Sequence, residues 1–118
     1  MQRFTDLLVW QRSHQLVLQI YSLSARFPSD ERFGLVSQLR RAAASVPTNI
    51  AEGSKRRSKV EYARFLNIAE GSLAEIEYLL MLSRDLRFIP AEACEASLIE
   101  VSEIARMLNA LRTRVERA

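Results

Sequence analysis

Seven basic side chains crowd positions 40–64: Arg40, Arg41, Lys55, Arg56, Arg57, Lys59 and Arg64, opposed there by Glu52 and Glu61 alone. Four of them fall in the run SKRRSK at 54–59. Lys and Arg in such density can neutralise phosphates and release counterions, so any binding would weaken steeply with salt. No aromatic residue interleaves the run, so stacking on bases is not offered. The candidates for phosphate contact, to RNA or DNA, are Arg40, Arg41, Lys55, Arg56, Arg57 and Lys59. A solubilising loop has the same composition, and both readings stand at this point.

A second pattern lies just upstream. Between Leu35 and Gly53, residues Gln38, Arg41, Ser45, Asn49 and Glu52 recur at spacings of three and four, which places them on one helix stripe. Beside it runs an apolar stripe of Leu35, Leu39, Ala42, Val46 and Ile50. Short amides, hydroxyls and an Arg/Glu set can hydrogen-bond along such a stripe, lining a polar interface, a groove or a channel. The alternative is structural: Arg41 and Glu52 cap and tie neighbouring helices, and Asn49 fills the carbonyl of Ala43 that Pro47 leaves free.

Groups suited to catalysis are sparse. There is no Gly-rich phosphate loop, no Cys-x-x-Cys and no Glu-x-x-His pair. The single histidine, His14, projects near Trp10 and Tyr21 and reads as a partly buried packing residue. Cys94 reads as a small core residue without the depressed pKa that reactivity requires. Glu70, Glu75 and Glu77 read as a solvated face. The expectation is a protein that is not an enzyme, with no metal and no cofactor.

The elements that must position these residues are helices. The chain has 118 residues, 48% hydrophobic and 26% charged, with a formal net charge of +3. Three Gly and three Pro supply few turns, which favours a few long helices over a many-stranded sheet. No apolar run approaches the roughly 18 residues of a membrane span. One cysteine and an N-terminus that meets charge early point to a cytoplasmic protein. Periodicity predicts helices over about Asp6–Phe27 (Thr5 as N-cap), Asp30–Gly53 (kinked at Pro47, with Ser29 and Asp30 capping), Lys59–Arg87 and Pro90–Arg117. Ser58 and Glu61 have capping-box spacing. The fold class is all-α: one domain, 1–118, an up-down-up-down antiparallel four-helix bundle. The third helix carries a second apolar strip, Ile68, Leu79, Leu82 and Leu86, and Ala44 and Ala51 leave a small-residue face on the second. Exposed apolar surface of this extent predicts a cyclic homo-oligomer, these strips forming the interface.

Three segments resemble a known bacterial family: VWQRSHQLVLQIY in the first helix, FGLVSQLRRAAASVPTNIAEGSKR in the second and EYARFLNIAEGSLAEIEYLL in the third. They are similar to the four-helix-bundle proteins encoded within intervening sequences of 23S ribosomal RNA genes. More distantly they resemble the accessory variability protein of diversity-generating retroelements. The likeness runs from about Leu8 to Arg114. It implies a homopentamer, a barrel-like ring with a central channel, and no catalytic residues. The retroelement relative binds nucleic acid and a reverse transcriptase through a basic surface, which corresponds loosely to Arg40, Arg41, Lys55, Arg56 and Arg57. The leading expectation is a non-catalytic oligomeric binding or adaptor protein contacting RNA or DNA. The alternative is a structural module with a protein partner and no nucleic-acid role. An enzyme with an inter-subunit site ranks behind both.

Overall fold

Each of the four periodic segments forms a helix in the computed structural model, which describes residues 3–118. After a short 3-10 turn at Phe4–Asp6, α1 spans Leu8–Ser24, α2 Leu35–Ser54, α3 Lys59–Asp85 and α4 Ala91–Arg117; among the described residues there is no strand. Short connections make neighbouring helices antiparallel. α2 packs on α1 and α3, and α4 packs on α3 and α1, so α1 and α3 face each other only across the core diagonal. The result is a four-helix bundle, 45 Å long and 24 by 20 Å across. None of its helices is long and apolar enough to cross a membrane.

The core follows the predicted stripes. Leu16 and Ile20 from α1, Leu39, Val46 and Ile50 from α2, Leu66, Ile76 and Leu80 from α3, and Ile104 and Leu108 from α4 are all fully buried. Four serines share that core: Ser13, Ser24, Ser83 and Ser97. The first three donate their hydroxyls to the carbonyl four residues back, at 2.7 Å each, which satisfies them inside their own helix and lets neighbours approach closely.

The helix starts differ from expectation. Thr5 lies inside the 3-10 turn, and the residue before α1 is an extended Leu7 without a side-chain cap. Ser29 and Asp30 also belong to a 3-10 turn, at Ser29–Glu31, so α2 begins at Leu35, where the Glu31 carboxylate accepts the Leu35 N–H at 3.1 Å. α2 continues through Pro47 without a break. Ser58 caps α3 by accepting the Glu61 N–H at 3.1 Å, while the Glu61 side chain turns to Arg64 instead of closing the capping box.

Candidate nucleic-acid interface

The basic run occupies the connection between α2 and α3. Ser54 ends α2 by donating its hydroxyl to the Ala51 carbonyl at 2.7 Å, and the Lys55 and Arg56 N–H groups fold back onto Glu52 and Gly53. The turn can be this tight because Gly53 is buried beneath Tyr62 and Phe65 of α3; a Cβ at Gly53 would stand 2.8 Å from that of Phe65. Lys55, Arg56, Arg57 and Lys59 therefore project from one end of the bundle, all exposed. Arg56 lies 4.7 Å over the Phe65 ring and Arg64 lies 5.0 Å over the same ring. Arg64 also pairs with Glu61 at 3.1 Å.

Lys59 opens onto a cleft of about 400 Å³ between α3 and α4, whose walls include Arg64, Asn67 and Arg112. Arg112 is held by Glu70 and, at 3.2 Å, by Glu116. Those carboxylates raise its pKa further, the Glu70 hydrogen bond most of all. Glu70 is thus a helix-to-helix tie and not part of a solvated face. Glu75 and Glu77 are exposed.

Arg40 and Arg41 do not join this group. They precede Lys55 by about four helical turns, on the order of 20 Å along α2. Arg40 reaches instead to α1, where it donates to Ser24 Oγ at 2.9 Å and to the Tyr21 carbonyl at 3.2 Å, with its guanidinium 4.4 Å over the Tyr21 ring. It is a strap between helices. Arg41 lies on a different face, in an open groove with Gln38, Ser45, Ser72 and Glu75.

The polar stripe is a junction with α3. Asn49 donates to the carbonyl of Ser45 at 2.8 Å and to its hydroxyl at 2.9 Å, and Ser72 of α3 donates to the same hydroxyl at 2.8 Å. Asn49 therefore serves Ser45 and not the Ala43 carbonyl. Gln38, Arg41 and Glu52 are exposed, and among the described residues neither Arg41 nor Glu52 forms an ion pair.

The apolar strip of α3 divides. Leu79 is 5% exposed and belongs to the core, and Leu82 packs against it, so neither is a free surface. Ile68 and Leu86 are exposed, and the outward apolar side chains beside them are Val60, Tyr78 and Met81. His14 is exposed and stacked on Trp10, with ring centres 5.4 Å apart and planes 8° from parallel, where a partly buried position was expected. Cys94 is buried, with its thiol pointed at the Leu80 carbonyl, and burial pushes its pKa up.

Residue pattern alone did not reveal the tie at the waist of the bundle. Arg12 grips Glu100 through two N–H groups, at 2.7 and 2.8 Å, and reaches Glu103 at 3.2 Å. That hydrogen bond holds the Glu100 carboxyl below its ordinary pKa, against the opposing effect of burial. Such a pair becomes visible only once α1 and α4 are known to be neighbours.

The model of the 23S rRNA-intervening sequence proteins covers residues 5–110. The chain belongs to that family. A solved structure from Bacteroides thetaiotaomicron, a protein of unknown function from the S23 ribosomal protein family, superposes with a TM-score of 0.83 at 25% identity, covering 90% of this chain and 96% of that one. No curated protein matches the chain. Membership in the 23S rRNA-intervening sequence family thus fixes the architecture.

Proposed function

We propose that this chain is a non-catalytic, homo-oligomeric adaptor that contacts RNA or DNA through the exposed turn between α2 and α3. The observation that carries the reading is the set of cations without partners: among the described residues, Lys55, Arg57 and Lys59 form no ion pair, while Arg64 and Arg112 do. Arg40 and Arg41 fall outside this surface. Fluorescence titration with a short nucleic acid at about 50 and 200 mM salt tests the reading, since phosphate contacts lose most affinity over that range. Binding that weakens with salt and disappears in Arg56→Glu/Arg57→Glu supports it. No binding at the lower salt refutes it.

Assembly is supported by two apolar faces that cannot both be covered by one symmetric contact. α1 exposes Leu8, Leu18 and Tyr21, and the diagonal helix α3 exposes Ile68, Tyr78 and Met81. A two-fold contact joins a patch to itself and would leave the other face wet, whereas a heterologous contact covers both and makes a ring where its rotation closes. Gly71 sits on the exposed α3 face, where a Cβ would meet nothing within 4 Å. A mid-helix glycine lowers stability by about 1 kcal/mol against alanine, so its presence without an internal neighbour favours close approach by another chain. A pentamer is the ring size that the family resemblance implies. Light scattering on the eluting protein should read five times the 13.5 kDa chain mass. Gly71→Leu should break the assembly and leave a folded protomer. A protomer mass for the unaltered protein at micromolar concentration sinks the idea.

The protein-partner alternative has one observation in its favour. The α2–α3 groove combines Arg41, Glu75 and the Ser45–Ser72 pair, a mixed polar lining unsuited to a uniform polyanion.

A further inference from the structure

The basic turn is not the whole of the basic surface. Antiparallel packing brings the last turns of α4 beside the first turns of α3, as the cleft shared by Lys59, Arg64 and Arg112 shows. Arg114 and Arg117 are exposed at this same end, where Arg114 lines a groove with Leu7, Leu8 and Val9 at the start of α1. Segments 3–6, 52–64 and 112–118 meet at this end and carry nine basic and four acidic residues; segments 26–34 and 84–95, at the other end, carry four basic and five acidic. The modest net charge of the chain therefore hides a strongly one-sided distribution. Two of the carboxylates at the basic end are already engaged, Glu61 by Arg64 and Glu116 by Arg112. A single basic residue in a helix's last turn is accounted for by the helix dipole. Arg57, past the end of α2, and Lys59, at the start of α3, are not.

Resting on the nucleic-acid reading above, we propose that Arg114 and Arg117 of α4 act with Lys55, Arg57 and Lys59 as one end plate that seats a nucleic-acid backbone. The face is about 24 by 20 Å. At a rise of about 3.4 Å per base pair, that spans roughly six or seven pairs. Phe65 is covered by Arg56 and Arg64, so the plate offers phosphate contacts in place of stacking and reads no sequence.

The experiment is fluorescence anisotropy of the full-length protein with a labelled 16-base-pair duplex, titrated from about 50 to 200 mM salt. Each lost phosphate contact flattens the slope of log affinity against log salt by about 0.9. Arg114→Gln/Arg117→Gln should flatten it by about two contacts per engaged bundle, as should Arg57→Gln/Lys59→Gln. Arg26→Gln, at the far end, should leave it unchanged. Circular dichroism confirms that each variant stays folded. If the α4 pair keeps the unaltered slope while the turn pair loses it, the end plate is wrong and the turn acts alone. If the unaltered protein does not bind at the lower salt, the nucleic-acid reading falls and the plate with it. Displacement of the duplex by polyglutamate at equal charge concentration overturns the plate in favour of an acidic-protein site.

Discussion

Where α1 gives way to α2 and α3 to α4, the bundle is closed by rings. Phe27 meets Phe88 at 5.5 Å, with Ile89 buried in the same core cluster. A Schellman turn completes the end of α3: the Phe88 N–H reaches the Ser83 carbonyl and the Arg87 N–H reaches that of Arg84, both at 2.9 Å. At the opposite end a tight turn carries only charge outward, and Phe65 lies under two guanidinium groups. The contrast separates two tasks. At the ring-closed end the residues in contact hold the helices together, whereas at the basic end the exposed cations Lys55, Arg57 and Lys59 stand outside the Gly53–Phe65 packing and the Arg112–Glu70 tie, so they can be altered without disturbing either.

The largest expected effect is at the closed end. Phe27→Ala should lower the unfolding free energy by about 3–5 kcal/mol, because it empties a buried ring site, whereas charge removal at Arg57 should stay within about 0.5 kcal/mol. Urea titration reads both. Comparable losses at the two sites would erase the distinction between the ends. Gly53→Ala comes next, with a loss of about 1–3 kcal/mol from overpacking against Phe65 and Tyr62, even though alanine is the better helix former. A gain there would mean that the turn has room for a Cβ at Gly53.

Arg87 is the one non-glycine residue described with positive φ, 64°, at the position after α3 where glycine is usual. Arg87→Gly should raise stability by roughly 0.5–1 kcal/mol in thermal or urea unfolding. The smallest effect is at the waist, between the ends. A carboxyl whose folded pKa is depressed adds stability above its unfolded pKa, and that increment disappears as pH falls through the folded value. Arg12→Met should therefore melt below the unaltered protein at pH 7, and the gap should narrow as pH falls from the unfolded towards the depressed folded pKa of Glu100. A gap independent of pH would assign Arg12 to packing alone.

Periodicity made the helices and most of the core legible. Leu35, Leu39, Ala42, Val46 and Ile50 are buried as their spacing implies. Helix starts were less legible, because Asp30 and Glu31 suit a 3-10 turn as well as a first helical turn, and only the contact from Leu35 to Glu31 distinguishes them. Leu79 shows a different limit. A projection of α3 gives the angle of each side chain but not which flank has a neighbour, so a core residue and a surface residue look alike. The same ambiguity grouped Arg40 with the turn, although its guanidinium crosses to α1. Arg114 and Arg117 show the opposite limit: they are fifty residues or more from the turn in the chain and at the same end as it only in the bundle.

The four-residue connection at 55–58 bears on how quickly the chain folds. Joining α2 to α3 closes a short loop, which makes this hairpin among the cheapest tertiary pairings in loop entropy. Its closure also gathers Lys55, Arg56, Arg57 and Lys59 onto one small region, against their mutual repulsion. Dissolved ions screen that repulsion over a Debye length of about 8 Å at physiological strength. Refolding in a stopped-flow experiment should accordingly accelerate as salt rises, in the opposite sense to the salt dependence of nucleic-acid affinity, so the ionic strength that weakens the proposed ligand speeds the assembly of its seat.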